Sequence, residues 1–433
     1  MTRHQTINPR LRALHDAGVS IWLDTLSREL LDTGEFARLI ADYSVTGVTS
    51  NPTIFAKAIT GSDRYDADLR ALVTAGVRDP QKLFFTLALD DVRRAADLLR
   101  PAYETAEGQD GFVSFECTPD LADDTAGTIA QALELWRRLL CPNVMIKVPA
   151  TEAGIPAIEE LTARGVNVNV TLLFSLARYK QVIDAYIAGL ERRLNAGEPV
   201  AGIACVASFF VSRIDAKADA ELPADSDLRG RVAIANARNA YRLYRERFTD
   251  ERWLTLHDAG AKPQRPLWAS TGTKDPAYSD VLYVNELVVP DAINTMPEAT
   301  LHAFGDHGDA TGRFDWSPGA AAETLRRAAE VGVALDAITS DLERGGVESF
   351  CQSYADLLAC IKSKRVAIVS EVYDSRSADR WYDEGGPGPR GDGNARRTVT
   401  RPSTTPPRVV IAGGGVAGLE AHLALHLTTG SAG

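Results

Sequence analysis

One lysine of the sequence stands inside an apolar segment, where an ammonium group is unusual. Lys147 lies in the run Val-Met-Ile-Lys-Val-Pro at residues 144–149. Lysine is rarely buried unless it is paired or functional, and burial favours its neutral form. A neutral amine can attack a carbonyl group and form a Schiff base, and the iminium accepts electrons when a carbon–carbon bond breaks. Lys147 is therefore either a buried point charge or a nucleophile for a carbonyl substrate.

Other polar residues fall at or near the ends of apolar segments: Asp24, Asn51, Glu116, Asn169, Thr171, Ser208 and Ser270. Carboxylates at such positions can supply the proton transfers that Schiff-base chemistry needs, directly or through a water. Taken singly, each position is explained as well by helix capping or contact with solvent. No histidine lies between residues 16 and 256. Histidine-ligated metals and Ser–His arrangements are therefore disfavoured in that stretch.

Eight segments with the pattern of strands alternate with segments of helical periodicity. The strand segments lie at residues 20–26, 47–55, 112–116, 144–149, 166–174, 202–210, 265–271 and 291–296. Strands that alternate with helices indicate parallel βα units, and eight units favour a closed (β/α)₈ barrel over an open doubly wound sheet. In such a barrel the carboxyl ends of the strands form the active site, so we expect the polar residues to meet there.

Composition narrows the class of protein and its location. The net charge is −11 in a chain of 433 residues, and an acidic surface repels phosphate backbones. Nucleic-acid binding is therefore disfavoured. No apolar run approaches the roughly 18 residues that span a membrane. The five cysteines are irregularly spaced and fit neither a disulfide framework nor a zinc site, which favours a reducing cytoplasm.

The composition changes near residue 370, which places a domain boundary there. Residues 1–370 carry the barrel pattern, and residues 371–407 are rich in Gly, Pro and Arg. The second segment is typical of a disordered linker.

The last segment, residues 408–433, carries a glycine motif. Gly413, Gly415 and Gly418 follow an apolar strand pattern and precede an apolar helix pattern, as in a dinucleotide fingerprint. This segment resembles the opening of flavin- or nicotinamide-dependent oxidoreductases. The rest of the βαβ unit does not follow, so we expect a truncated fingerprint without a cofactor. A fusion cut short or a reading-frame artefact would each explain it.

Seven segments of the barrel region, in order, resemble the transaldolase family in its longer, actinobacterial-like form. They are WLDTLS, GVTSNPTIF, VSFECTPDLADDT, VMIKVPAT, GVNVNVTLLFS, ASFFVSRID and LWASTGTKDPAYSDVLYV, and the resemblance covers about residues 8–369. It implies a (β/α)₈ barrel of the class I aldolase type that uses no cofactor and no metal. The implied partners are sugar phosphates, and the protein would be a monomer or a homodimer.

The resemblance also implies a reaction of the pentose phosphate pathway. A dihydroxyacetone unit would pass from sedoheptulose 7-phosphate to glyceraldehyde 3-phosphate, giving erythrose 4-phosphate and fructose 6-phosphate. Lys147 matches the Schiff-base lysine, and Asp24 matches the acid/base for the hydroxyl at the cleaved bond. Glu116 matches the carboxylate that positions a catalytic water together with Thr171.

Further matches concern substrate binding. Asn51 and Asn169 resemble the amides that bind substrate hydroxyls, and Ser208 and Phe210 resemble pocket residues. Arg213 matches a phosphate clamp, a role suited to its bidentate fork.

Two departures from the family pattern bear on these assignments. Phe209 stands where many members carry proline. The loop after the seventh strand reads Ser-Thr-Gly-Thr-Lys at residues 270–274, in place of an Arg-bearing loop. We assign Ser270 and Lys274 to phosphate, because loops after strands seven and eight often bind it. A solvated loop lysine is an equal interpretation of Lys274, and an ion pair with Asp215 is an alternative for Arg213.

Three other functions remain as alternatives. A fructose 6-phosphate aldolase-like enzyme shares the lysine chemistry, although that group typically places a tyrosine where Glu116 stands. The glycine motif near the end of the chain suggests an oxidoreductase fusion. A non-catalytic sugar-phosphate binder is disfavoured by the full set of Asp24, Glu116 and Lys147.

Overall fold

Eight parallel strands form a closed barrel in which every strand pairs with its neighbours in chain order. The computed structural model of the protein describes residues 7–312 and 319–383, with side chains as far as residue 371. The strands are β1 Ser20–Leu23, β2 Val45–Thr49, β3 Val113–Glu116, β4 Val144–Pro149, β5 Val168–Leu173, β6 Cys205–Phe210, β7 Arg265–Ala269 and β8 Ile293–Met296. The barrel expected from the sequence is confirmed.

Sixteen α-helices and one short 3₁₀ turn, Pro119–Leu121, surround and connect the strands in the part of the chain that is described. The helices are α1 Pro9–Asp16, α2 Arg28–Asp32, α3 Glu35–Tyr43, α4 Pro52–Thr60, α5 Asp66–Thr74, α6 Pro80–Thr105, α7 Thr125–Leu139, α8 Gly154–Ala163, α9 Leu176–Asn195, α10 Ser212–Glu221, α11 Val232–Arg247, α12 Glu251–Asp258, α13 Leu282–Glu286, α14 Glu298–His307, α15 Ala320–Glu330 and α16 Leu335–Asp383. Within the described ranges, no helix is long and apolar enough to cross a membrane.

Strand register brings three of the polar candidates into one row. Glu116 of β3 pairs with Lys147 of β4, and Lys147 pairs in turn with Asn169 of β5. Side chains alternate between the two faces of a strand, so residues at matched positions of adjacent strands point the same way. The row is therefore a consequence of the parallel register.

A buried tryptophan fixes the contact between the first two strands. Trp22 of β1 is fully buried, and its indole N–H donates to Asp110 over 2.8 Å. The ring lies directly against the backbone of Gly47 in β2, so that a Cβ at position 47 would overlap the indole. Glycine at this position is therefore required by the close approach of a large side chain.

The last helix extends beyond the predicted domain boundary. Contacts divide the chain into two units, Met1–Asp374 and Ser375–Gly433, whereas α16 continues to Asp383. Residues 371–383 are thus helical where we expected the start of a linker. The Gly- and Pro-rich composition begins only at Gly385, which explains the difference. The rest of the linker and the fingerprint segment lie outside the described residues.

Two adjacent glycines in α16 provide a matched test of the helix contacts. A Cβ at Gly345 would meet no atom within 4 Å, whereas a Cβ at Gly346 would lie 2.8 Å from Leu172 Cδ2. Gly345→Ala should stabilise the fold by about 0.5–1 kcal/mol, because alanine has the higher helix propensity. Gly346→Ala should gain less, because Leu172 must move. Urea denaturation of both variants measures the difference, and equal gains would contradict the contact.

Candidate active site

The amine of Lys147 is buried beside a carboxylate at the end of the neighbouring strand. Lys147 is 5% exposed and Glu116 is 8% exposed. Lys147 Nζ lies 3.3 Å from Glu116 Oε2 and donates to the carbonyl of Ser50 over 3.2 Å. An ammonium group in a low-dielectric interior is tolerated only with such partners. The Ser50 carbonyl could not be predicted from the sequence, because the Lys147 side chain reaches past β3 to the residue that follows β2.

The two candidate carboxylates have pKa values shifted in the same direction. Burial raises the pKa of Glu116, and the charge and hydrogen bond of Lys147 only partly oppose this. Burial also raises the pKa of Asp24, against a hydrogen bond from Thr25 and the charges of Lys274 and Lys147. A carboxylate with a raised pKa is a stronger base, which suits both groups to proton transfer.

Asp24 follows β1 directly, in a loop that a buried arginine holds in place. Arg28 begins α2 and is 4% exposed. Its guanidinium pairs with Asp91 at 2.9 Å and also contacts Asp68. Its backbone N–H donates to Tyr65 Oη over 3.0 Å. Residues 25–27 therefore run between a strand and an anchored helix, which restricts where the Asp24 carboxylate can lie.

Two polar candidates of β5 and β6 form a chain of hydrogen bonds inside the barrel. Ser208 Oγ donates to Asn169 Oδ1 over 2.7 Å, and Asn169 Nδ2 donates to Ser114 Oγ over 2.9 Å. These two hydrogen bonds fix the orientation of the Asn169 amide. Ser114 was not predicted as a site residue, although it lies two positions before Glu116 and therefore on the same face of β3.

Thr171 differs from the other polar residues of the barrel interior. Its Oγ1 is fully buried, and no described residue lies within hydrogen-bonding distance of that atom. A buried hydroxyl without a protein partner usually binds water. The next residue, Leu172, has φ +57° within the strand, and the pairing of β5 with β6 shifts register here.

A cleft of about 610 Å³ opens beside Asp24 at the carboxyl ends of the strands, and neither Lys147 nor Glu116 is among its lining residues. Asp24, Asn51 and Arg213 line it, together with Lys57 of α4 and Phe350 of α16. Asn51 also caps α4, because its Oδ1 accepts from Ile54 N over 2.9 Å, so its side chain combines a capping contact with exposure to the cleft. Lys57 was not predicted from the sequence, because it lies within helix α4 and not at the end of a strand.

Arg213 lines the cleft from the start of α10. Its guanidinium stacks over the ring of Phe210, with Cζ 5.1 Å from the ring centroid. Burial lowers its pKa, and within residues 7–312 and 319–371 no acidic side chain forms an ion pair with it. The suggested partner Asp215 instead accepts from Ala233 N at 2.7 Å and Tyr283 Oη at 3.0 Å. The ion-pair alternative for Arg213 is therefore wrong.

The loop after β7 is joined to the beginning of α10. Ser270, at φ +56°, accepts from Ser212 N through its carbonyl over 3.1 Å, and the two hydroxyls lie 2.9 Å apart. Lys274 is exposed, and its positive charge partly opposes the rise that burial causes in the pKa of Asp24. Arg213, Ser270 and Lys274 thus lie on elements that meet at one side of the barrel mouth.

Phe209, the first departure from the family pattern, is a core residue. It is 1% exposed and packs against Tyr179 and Trp268, with ring centroids 6.0 and 6.4 Å away. It therefore faces the helical layer, while Ser208 and Phe210 on either side face the barrel interior.

One group of described side chains has the spacing of metal ligands: Glu35, Glu298 and His302. Glu35 is already paired with Arg38, and none of the three lines the cleft. The side chains at this end of the barrel therefore offer the chemistry of an amine, two carboxylates and a guanidinium that has no acidic partner among the described residues.

A parallel barrel with a buried lysine and carboxylates at its strand ends defines an enzyme of the class I aldolase type. The chain belongs to the transaldolase/fructose-6-phosphate aldolase family, whose model matches residues 21–361. It is 50% identical over 365 residues to a transaldolase of Saccharopolyspora erythraea, covering 83% of this chain and 98% of that protein. A transaldolase of Thermobifida fusca is 50% identical over 358 residues, covering 80% and 96%. Transaldolase 1 of Streptomyces avermitilis is 51% identical over 360 residues, covering 81% and 94%.

The unpaired guanidinium generates a prediction that needs no substrate. Inorganic phosphate should raise the melting temperature of the protein, because an anion supplies the missing partner of Arg213. Arg213→Ala should weaken phosphate binding by roughly 10- to 100-fold in a calorimetric titration, the value of a charge-assisted contact. Arg252→Ala, which removes a surface arginine paired with Glu191, is the control. Equal weakening in both variants would contradict the assignment.

Proposed function

We propose that this protein is a transaldolase of the pentose phosphate pathway. It transfers a dihydroxyacetone unit from sedoheptulose 7-phosphate to glyceraldehyde 3-phosphate, giving erythrose 4-phosphate and fructose 6-phosphate. The observation that carries this proposal is the buried contact between Lys147 and Glu116, close enough to Asp24 in the wall of the cleft for the charge of Lys147 to act on that carboxylate. The names of its relatives support the same activity.

The first step we infer is Schiff-base formation. The neutral amine of Lys147 attacks the ketone carbon of the donor, and Glu116 accepts the proton that the ammonium form must lose. The carbinolamine then loses its hydroxyl as water and becomes an iminium. Glu116 and Thr171 hold the water that carries protons in this step, which the buried, unpartnered hydroxyl of Thr171 supports.

The second step is carbon–carbon cleavage. The Asp24 carboxylate takes the proton of the hydroxyl next to the bond that breaks, and the electron pair of that bond passes to the iminium. An aldehyde leaves and an enamine remains on Lys147. The acceptor aldehyde then reacts with the enamine, Asp24 returns its proton, and water releases the product.

Substrate recognition uses residues around the cleft. Asn51, Asn169 and Ser208 bind hydroxyls of the sugar, and Phe210 forms a pocket wall beneath Arg213. Arg213, Ser270 and Lys274 bind the phosphate of donor and acceptor in turn. The absence of an acidic partner for Arg213 among the described side chains supports this role.

A fructose 6-phosphate aldolase-like activity is the second candidate, because the family model covers both activities. The carboxylate at position 116 and the names of the relatives favour the transaldolase. We also propose a cytoplasmic location, supported by five free cysteines. A monomer or a homodimer stays a prediction, which analytical ultracentrifugation tests.

The nucleophile can be identified by trapping. Borohydride added with fructose 6-phosphate should reduce the iminium and leave a stable adduct on Lys147, located by peptide mass spectrometry. Lys147→Ala should form no adduct. Lys147→Arg should also be inactive, because a guanidinium stays protonated and cannot attack a carbonyl. Unchanged trapping in Lys147→Ala would refute the assignment.

Removal of the Asp24 carboxylate and removal of the Glu116 carboxylate should block different steps of the reaction. Asp24→Ala should slow turnover by about 10²–10⁴ and leave the Schiff base able to accumulate, because only cleavage needs that base. Glu116→Ala should slow formation of the adduct itself. Single-turnover borohydride trapping compares the two variants, and equal rates of adduct formation would contradict the division of roles.

A further inference from the structure

Most of the loop between β7 and α13 has little contact with the core. Thr271 and Val281 at its two ends are buried, whereas Lys274, Pro276 and Ser279 between them are exposed. A loop of this kind has few apolar contacts to fix its position, so polar contacts must do so. It carries Lys274 and starts at Ser270, two of the three groups assigned to phosphate.

Two polar contacts connect the exposed part of this loop to α10 and the segment after it. Tyr278 Oη donates to Asp219 Oδ2 over 2.6 Å. Asp275 lies 3.6 Å from Arg229, whose guanidinium also donates to the carbonyl of Asp219 over 2.6 Å. Asp219 is buried, and its other carboxylate oxygen accepts from Gly230 N over 3.0 Å. Asp219 is therefore held on both sides.

The ring of Tyr278 packs closely against the backbone of Gly230. Gly230 has φ +68°, and a Cβ at that position would lie 2.9 Å from Tyr278 Cζ. Glycine allows both the backbone conformation and the close approach of the ring. On its other side, Tyr278 borders a cleft of about 650 Å³ that Lys274 and Ser212 also line.

We propose that Tyr278 and Asp219 are positioning residues that set the distance between the Arg213 and the Lys274 sides of the phosphate site. Arg213 lies on α10, as Asp219 does, and Lys274 lies four residues from Tyr278 on the loop. The hydrogen bond between Tyr278 and Asp219 therefore connects α10 to the loop after β7, at a point outside the cleft that Asp24 and Arg213 line. This inference rests on the proposed phosphate site and extends it to residues that do not touch substrate.

Tyr278→Phe tests the proposal, because it removes one hydroxyl and leaves the ring packed against Gly230. KM for fructose 6-phosphate should rise by about 10-fold, the lower end of the effect of losing a hydrogen bond to a carboxylate, with kcat nearly unchanged. The rate with unphosphorylated fructose as donor should not change. A merely structural role for Tyr278 would lower both rates by the same factor, so equal effects on the two donors, or no effect on either, would overturn the proposal.

Tyr186→Phe is the matched control. Tyr186 is buried and, like Tyr278, donates its hydroxyl to an oxygen, here the backbone carbonyl of Lys262, over 2.7 Å. Lys262 precedes β7, at the opposite end of the barrel from the cleft. This variant should leave the ratio of the two donors at the wild-type value, and a change equal to that of Tyr278→Phe would overturn the proposal. Borohydride trapping of fructose on wild-type Lys147 separates failure of the proposed function from failure of this inference.

Discussion

A lysine side chain inside a barrel must be given partners, and the site is arranged around that requirement. Transfer of an isolated ammonium group into a low-dielectric interior is very costly, so a buried lysine is either neutral or matched by acceptors. Glu116 and the carbonyl of Ser50 supply two acceptors for Lys147. Burial nevertheless raises the pKa of Glu116 against the attraction of Lys147. The carboxylate therefore places a proton acceptor within hydrogen-bonding distance of the amine, at 3.3 Å, and amine catalysis on a carbonyl requires such a group.

The site divides into a rigid part and a more adaptable part. Lys147, Glu116 and Asn169 stand in one row of adjacent parallel strands, so the register of the barrel sets their spacing. The groups proposed to bind phosphate lie instead on α10 and on the loop after β7, at the rim of the cleft. Covalent chemistry needs reacting groups held to within a fraction of an ångström, whereas donors and acceptors of different lengths need a rim that can accommodate them.

The sequence predicted the barrel and the strand-end residues because both depend on local patterns. Strand segments alternate with helices along the chain, and the polar residue that follows each apolar run marks the end of a strand. Contacts between distant segments could not be predicted in this way. Examples are the Ser50 carbonyl beside Lys147, the hydrogen bond from Asn169 to Ser114, and the entry of Lys57 into the cleft. Each depends on how strands and loops far apart in the chain approach one another.

Two arginines show how the surroundings separate a structural cation from one proposed to bind phosphate. Burial disfavours the charged form of both Arg28 and Arg213. At Arg28 the charges of Asp91 and Asp68 outweigh burial, so that its pKa is raised. At Arg213 burial acts without such compensation, and its pKa is lowered. A guanidinium stays charged in proteins, so Arg213 retains an unsatisfied demand for an anion, whereas Arg28 has none. The same residue type therefore anchors a helix at one edge of the cleft and is available to a phosphate group at the other.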